Sequence, residues 1–435
     1  MQLIIKEFGP IKGCDIEITD AMFLIGPQSS GKSTISKMTY YFLHVRDEYV
    51  KYLMDAKAID NRKVVSNFAK ILRNTFLEFW GPTPQDPKLY IEFRYGKDVN
   101  IKLELDKTGK FINPILSEGL KNRLIKDYKL VSKINDNLKM TSSLFNTVEQ
   151  FETESVQNNK LKNLINSSRD LFNFDDELLF IPAGRSLLST LSDQLQYIHP
   201  HNLDFPMRSF IERINKTKSL FGKSLNDIIS ESNAYSEKRV YVTTTKKVVK
   251  YINRILKGEY IHDKDGGKLY LNNKKTYTKI NFASSGQQES IWILLSLFLV
   301  ALEQAKVRVF IEEPEAHLFP IAQSDMADLI SFLKNNYNSK FIITTHSPYL
   351  ISAFNNNIYA KEVGVEHEDA VNKIISQDLW LDYSDISGYF VNNGRLEQLC
   401  DDSLKMLKTE LIDTASDLTN ERYDQLHRLE FNIDD

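Results

Sequence analysis

The chain has 435 residues, 42% apolar and 26% charged, with 17 Gly and 12 Pro. That composition excludes collagen-like and wholly disordered classes and leaves room for a core domain carrying a large insertion. With 55 basic and 58 acidic residues the net charge is −3, which gives no global drive toward nucleic acid, although a local patch can hide in a balanced total; the two cysteines, Cys14 and Cys400, form no CxxC pair and argue for a reducing, cytoplasmic setting without zinc site or disulfide framework.

The N-terminus runs into a strand pattern without the regions of a signal peptide. Residues 3–5, 14–18 and 22–25 predict three short strands, the last leading through a Gly/Ser-rich loop into a helix that begins at Lys32. Helical spacing dominates residues 44–80, and 88–105 predict a β-hairpin turning near Gly96-Lys97-Asp98. Residues 115–175, rich in Lys, Asn, Ser and Asp, predict surface helices and loops. A strand at 178–181 ends at Pro182-Ala183-Gly184-Arg185, helical spacing returns over 205–232, and short strands are expected at 239–244, 268–271 and 276–282.

A tightly ordered series follows: helix 287–304, strand 307–311, helix 320–335, strand 340–344. Such alternation predicts a parallel sheet with crossover helices. The most apolar run, residues 291–302, is shorter than the roughly 20 residues of a membrane span and is expected to be a buried helix, with no membrane partner. Residues 403–430 predict a surface or interface helix pair.

Gly26-Pro27-Gln28-Ser29-Ser30-Gly31-Lys32-Ser33-Thr34 matches the phosphate-loop pattern GxxxxGK[ST] in full. Its glycines let backbone amides close around phosphates, the helix N-terminus favours their charge, Lys32 reaches the terminal phosphates, and Ser33 is suited to Mg2+. ATP with Mg2+ is the expected ligand. Val309-Phe310-Ile311-Glu312-Glu313-Pro314 is an apolar strand ending in two carboxylates; Glu312 is then the metal-side ligand, beside Ser33, and Glu313 the base or water-positioning group. Other polar clusters are weaker: His199-Pro200-His201 and His262-Asp263-Lys264-Asp265-Gly266-Gly267 are read as a loop and a hairpin turn, and the basic run at 245–250 as a solvated helix face that could alternatively touch nucleic acid.

Between and after these lie Ala283-Ser284-Ser285-Gly286-Gln287-Gln288-Glu289 and Thr344-Thr345-His346-Ser347-Pro348. The first resembles the ABC signature usually written LSGGQ, with Ala283 where leucine is usual; the second resembles the switch-histidine loop. The resemblance implies that Ser284, Ser285 and Gly286 meet the γ-phosphate held by an opposite subunit, that Gln287 belongs with them to the nucleotide-binding, dimer-closing segment, and that His346 senses the phosphate in its own subunit, so that ATP joins two copies. A Q-loop glutamine is not assigned, and Arg185 is either a nucleotide or interface sensor or a structural arginine.

About 250 residues separate Lys32 from Ser284 and leave space for an insertion that a transporter subunit lacks; the insertion has neither the heptad arms of SMC proteins nor a CxxC zinc hook. The chain resembles the compact ATPases of the OLD and RecF type, especially the stand-alone ATPase subunits of the PARIS, Septu and retron-associated anti-phage systems, through its FGPI start, IGPQSSGKST, FIPAGRS, SSGQQE, EEPEAHL and TTHSPY. The tail from Asn355 contains no DxD pair of a TOPRIM nuclease, so a nuclease or toxin effector would be a separate partner. The expected fold is α/β, an ABC-type P-loop ATPase domain with a mixed helical and β insertion: residues 1–105 with the phosphate loop, 106–275 the insertion, 276–360 the signature, carboxylates and His346, and 361–435 a C-terminal strand and helices as a possible partner surface. The expected function is a slow ATPase that dimerises, or forms a larger homo-oligomer, to regulate an anti-phage effector. The alternative is a RecF- or SMC-like DNA-binding ATPase of repair or maintenance.

Overall fold

The computed structural model describes residues 1–82, 86–142, 147–190, 203–235, 241–271, 276–409 and 414–430. The apolar runs that lead into the motifs assemble into a six-stranded sheet in the order β14 (Arg395–Gln398), β13 (Ile386–Asn392), β3 (Ala21–Ile25), β12 (Lys340–Thr345), β11 (Val307–Glu312), β7 (Glu177–Ile181). All neighbours are parallel except β14.

Side chains alternate across this sheet, so both faces are apolar and each strand reads as an unbroken hydrophobic run. Phe23, Ile25, Val309, Ile311, Phe341 and Ile343 enter one core, built with α8 (Val242–Leu256), α9 (Ser285–Glu303), α10 (Pro320–Tyr337) and α11 (Pro348–Asn372). Met22, Leu24, Phe310 and Ile342 enter the other, against α1 (Lys32–Met54) and α2 (Asn61–Trp80). That second core is closed by a five-stranded antiparallel sheet, β2 (Ile11–Glu17), β1 (Gln2–Phe8), β4 (Tyr90–Arg94), β5 (Asn100–Leu105), β6 (Ile112–Leu116). Thus the first three strands divide: β1 and β2 join the antiparallel sheet, and β3 carries the phosphate loop. Helices α3 (Glu118–Ser142) and α4 (Thr147–Phe172) pack on the same core through Leu120, Leu124, Leu164 and Phe172.

The segment after β7 runs through α5 (Ser186–Thr190), α6 (Phe205–Thr217) and α7 (Leu225–Tyr235) to α8, then a hairpin, β8 (Gly258–Asp263) and β9 (Gly266–Leu271), with β10 (Tyr277–Lys279) beside it. The architecture is α/β, a largely parallel sheet with helices on both faces and with helical and β elements inserted between the phosphate loop and Ser284. Helix α9 has the length and composition to cross a membrane, but 78% of its apolar window is buried within the chain.

Three expectations need correction. The strand at 239–244 lies partly outside the described residues, and its remainder, from Val242, begins helix α8. The β-branched residues there are overruled by Val248, Val249, Ile252, Ile255 and Leu256, which bury one helical face. At 276–282 the strand is limited to Tyr277–Lys279, and Ile280–Phe282 forms a 3-10 turn. The helix pair at 403–430 is instead a short hairpin, β15 (Cys400–Asp401) and β16 (Met406–Leu407), and a single described helix, α12 (Thr414–Glu430). Asn355 holds that hairpin in place by accepting from Leu407 N (2.9 Å) and donating to its carbonyl (2.8 Å). His199-Pro200-His201 lies outside the described residues.

Candidate nucleotide site

The motifs meet because β3, β12 and β11 are parallel neighbours and their carboxyl ends open on one edge of the sheet, where open α/β sheets bind ligands. After β3 the chain turns through Gly26 (φ 149°), Ser29 (φ 58°) and Gly31 (φ 111°) before α1 begins at Lys32. Side chains do not fit at the two glycines: a Cβ on Gly26 would lie 2.2 Å from the Val391 carbonyl oxygen, and one on Gly31 2.2 Å from Ile11 Cδ1. No side chain caps the N-terminus of α1, so its first amides face the cavity as an anion-binding end.

The cavity has a volume of about 520 Å3 and is lined by Pro10, the loop from Gln28 to Thr34, Glu313 and His346. Lys32 is buried, and its ammonium donates to the carbonyls of Gly26 (2.8 Å) and Pro27 (2.7 Å). Burial pushes Lys32 down to about 8, against the pull of Glu313 and Glu315. His346 follows β12: its Nδ1 lies 2.9 Å from the Gly26 carbonyl and 3.3 Å from Lys32 Nζ, and its Nε2 is 2.8 Å from Glu313 Oε1. The His346 hydrogen bond holds the Glu313 carboxyl below its ordinary value, against its burial.

Glu312 and Glu313 diverge at the end of β11. Glu312 is buried, with Oε2 accepting from Ala183 N (3.1 Å) and Oε1 without a partner. Glu313 is half-buried in the left-handed region (φ 48°), and this backbone turn carries its carboxylate into the cavity that Glu312 does not line. A third carboxylate, Glu315, was not singled out from the sequence. It is buried, accepts from Thr345 Oγ1 (2.7 Å) and His346 N (2.8 Å), and so fixes the histidine loop; burial raises its pKa. The signal available in sequence was the third acid in EEPEAH.

Ser284 caps α9 in a capping box: its Oγ accepts from Gln287 N, and Gln287 Oε1 accepts from Ser284 N (3.1 Å). Ser284 and Ser285 are exposed, Gln287 is partly buried and donates to the Leu256 carbonyl (2.7 Å), and Gly286 is buried where a Cβ would meet the His317 carbonyl at 2.6 Å. None of the four lines the phosphate-loop cavity. The structure therefore brings the phosphate loop, Glu313 and His346 together and leaves the signature residues facing elsewhere. Arg185 is fully buried and bonded to main-chain carbonyls, the structural alternative of the two.

These donors fit a triphosphate with its metal. Ser30 Oγ in the loop and Glu312 Oε1 at the end of β11 are buried polar atoms without a partner, and such atoms ordinarily have partners. Among the described residues no group of three or more His, Cys, Asp and Glu side chains could hold a metal, so a cation here would depend on phosphate oxygens; of the two expected protein ligands, Ser33 lines the cavity and Glu312 does not.

A family model described as an AAA ATPase domain matches residues 1–351. No curated protein sequence matches the chain. Among solved structures it is similar to an SmcHead bound to the C-winged helix domain of ScpA, at 12% identity over 91% of this chain and 95% of that one, with a TM-score of 0.35. It is also similar to an SMC head domain from Thermotoga maritima, at 13% identity over 91% and 96%, with a TM-score of 0.34.

Proposed function

The chain belongs to the AAA ATPase domain family, and from that premise we propose that it is a slow Mg2+-dependent ATPase whose two half-sites complete each other between two copies, regulating a separate nuclease or toxin effector of an anti-phage system. The observation that carries the two-copy reading is the separation just described: Lys32, Glu313 and His346 share one cavity, whereas the exposed Ser284 and Ser285 lie outside it.

In this reading the α1 amides and Lys32 bind and orient the phosphate chain, and Ser33 with Glu312 would hold Mg2+, which supplies charge neutralisation at the phosphate oxygens. Glu313, kept ionised by His346, accepts a hydrogen bond from the attacking water and orients it in line. His346, hydrogen-bonded on both sides, ties that carboxylate to the phosphate loop. Glu315 holds the His346 backbone. Ser284 to Gln287 close the partner copy's cavity from outside.

The effector surface is proposed on the insertion or the C-terminal segment. Support for the latter comes from α12, on which Tyr423, Leu426 and Leu429 are 67%, 67% and 75% exposed. Co-expression with the products of neighbouring genes, followed by affinity purification with ATP and without nucleotide, tests this reading. Nucleotide-dependent retention of a nuclease or toxin supports it. Retention of nothing, together with duplex-DNA binding that weakens steeply with salt, replaces it with DNA maintenance.

A further inference from the structure

We propose that Arg185 is a positioning residue, a pin that ties the N-terminal turns of α9 to the carboxylate end of β11 and thereby sets where the Glu313 carboxylate stands; the inference rests on the proposed role of Glu313 in hydrolysis. Arg185 has no exposed surface, and its guanidinium offers five donors in one rigid plane. It spends them on main-chain carbonyls of three segments. Nη1 donates to Pro182 and to Glu312 (2.7 Å), Nη2 to Glu313 (2.9 Å), and Nε to Glu289 (3.1 Å).

The main chain around Arg185 completes the tie. The Glu289 carboxylate accepts from Arg185 N (3.1 Å) and Ser186 N (3.0 Å), and its Oε2 lies 3.5 Å from Arg185 Nε. Ser189 Oγ donates to the Gln288 carbonyl (2.7 Å), while Ala183 N donates to the Glu312 carboxylate (3.1 Å). Residues 182–189 are thus stitched to the signature helix on one side and to the β11 end on the other. Glu289 lies in α9 just beyond Ser285, Gly286 and Gln287.

A fork aimed at carbonyls holds backbone geometry, and the geometry here needs holding. Glu313 sits at φ 48°, a conformation that costs a residue with a Cβ and persists when its surroundings over-determine it. Its N–H donates to the Thr344 carbonyl (2.9 Å) and its own carbonyl accepts from Arg185, so both polar main-chain groups of the residue are engaged. A displacement of the signature turn would pass through one planar group to the residue that orients water. Seating of a partner copy on Ser284 to Gln287 would therefore be felt at Glu313.

Arg185→Lys keeps a positive charge beside Glu289 and Glu312 but cannot span three segments, because an ammonium is a point donor. Expected results are a kcat lower by about 10- to 100-fold, the scale of a misplaced reacting group, with ATP affinity within about twofold of wild type and Mg-ATP-dependent assembly retained. The double variant Arg185→Lys/Glu313→Gln should be no slower than Glu313→Gln alone, because the pin acts through Glu313. Glu289→Gln should lower kcat in the same sense, and it carries the test if Arg185→Lys does not fold. Turnover in a folded Arg185→Lys within twofold of wild type, or a loss of ATP affinity as large as the loss of kcat, overturns the pin. Wild-type protein that binds ATP without turning it over refutes the hydrolytic reading by itself. The pin is then judged by hydrogen exchange over residues 310–318, where about tenfold faster exchange in Arg185→Lys upholds it and unchanged exchange overturns it.

Discussion

Raising the pH from about 7 to about 9 should loosen ATP binding through one group, Lys32. Its burial lowers the ammonium pKa from 10.5 to about 8, so the free protein carries the charge below that pH and loses it above. A phosphate chain selects the charged form, and the apparent dissociation constant then scales as one plus the ratio of neutral to charged lysine. With a pKa of about 8 the factor is about 1.1 at pH 7 and about 11 at pH 9, a weakening of about tenfold or 1.4 kcal/mol. Stability of the free protein moves the other way: the unfolded lysine keeps its proton up to 10.5, so unfolding takes up a proton across the interval from about 8 and this group's contribution rises with pH. Titration calorimetry with a non-hydrolysable ATP analogue on wild type and Lys32→Met reads the binding effect. An affinity that is flat from pH 7 to 9 in wild type, or a slope that survives in Lys32→Met, refutes the reasoning.

Gly31→Ala places a Cβ at φ 111° and 2.2 Å from Ile11 Cδ1; it should abolish measurable ATP binding and lower stability by about 1–3 kcal/mol in chemical denaturation. Ser284→Ala removes the α9 cap and should cost about 1 kcal/mol, while leaving ATP binding by the separate protein unchanged and weakening ATP-dependent association in light scattering. Gly364→Ala, where the Cβ would meet Trp380 at 2.3 Å, should cost about 1–3 kcal/mol in a thermal melt with ATP affinity unaltered, since that contact lies outside the site.

The phosphate loop was legible because its whole signal is local: one strand, one loop and one helix N-terminus in consecutive residues. The meeting of Glu313 and His346 was legible because each follows an apolar strand, and a parallel sheet brings such ends to one edge. The partition of β1 and β2 away from β3 was not, because the pairing of β1 with β4 joins residues such as Gln2 and Arg94, and periodicity says nothing about partners so distant in sequence. Val242 and the threonines after it read as strand until the apolar face of α8 is seen in its core. Arg185 and Glu289 were hardest: each lies in a short polar stretch, and their purpose emerges when the loop after β7, the start of α9 and the end of β11 converge.

Completion of the site between two copies is tested most directly by the mass of Glu313→Gln in solution, by light scattering with Mg-ATP and with no nucleotide. A shared site requires a shift from the single-chain 50.4 kDa without nucleotide to at least twice that value with Mg-ATP, and no such shift when Ser284→Arg is added. A mass that Mg-ATP leaves unchanged, in protein shown to bind it, would contradict the shared site.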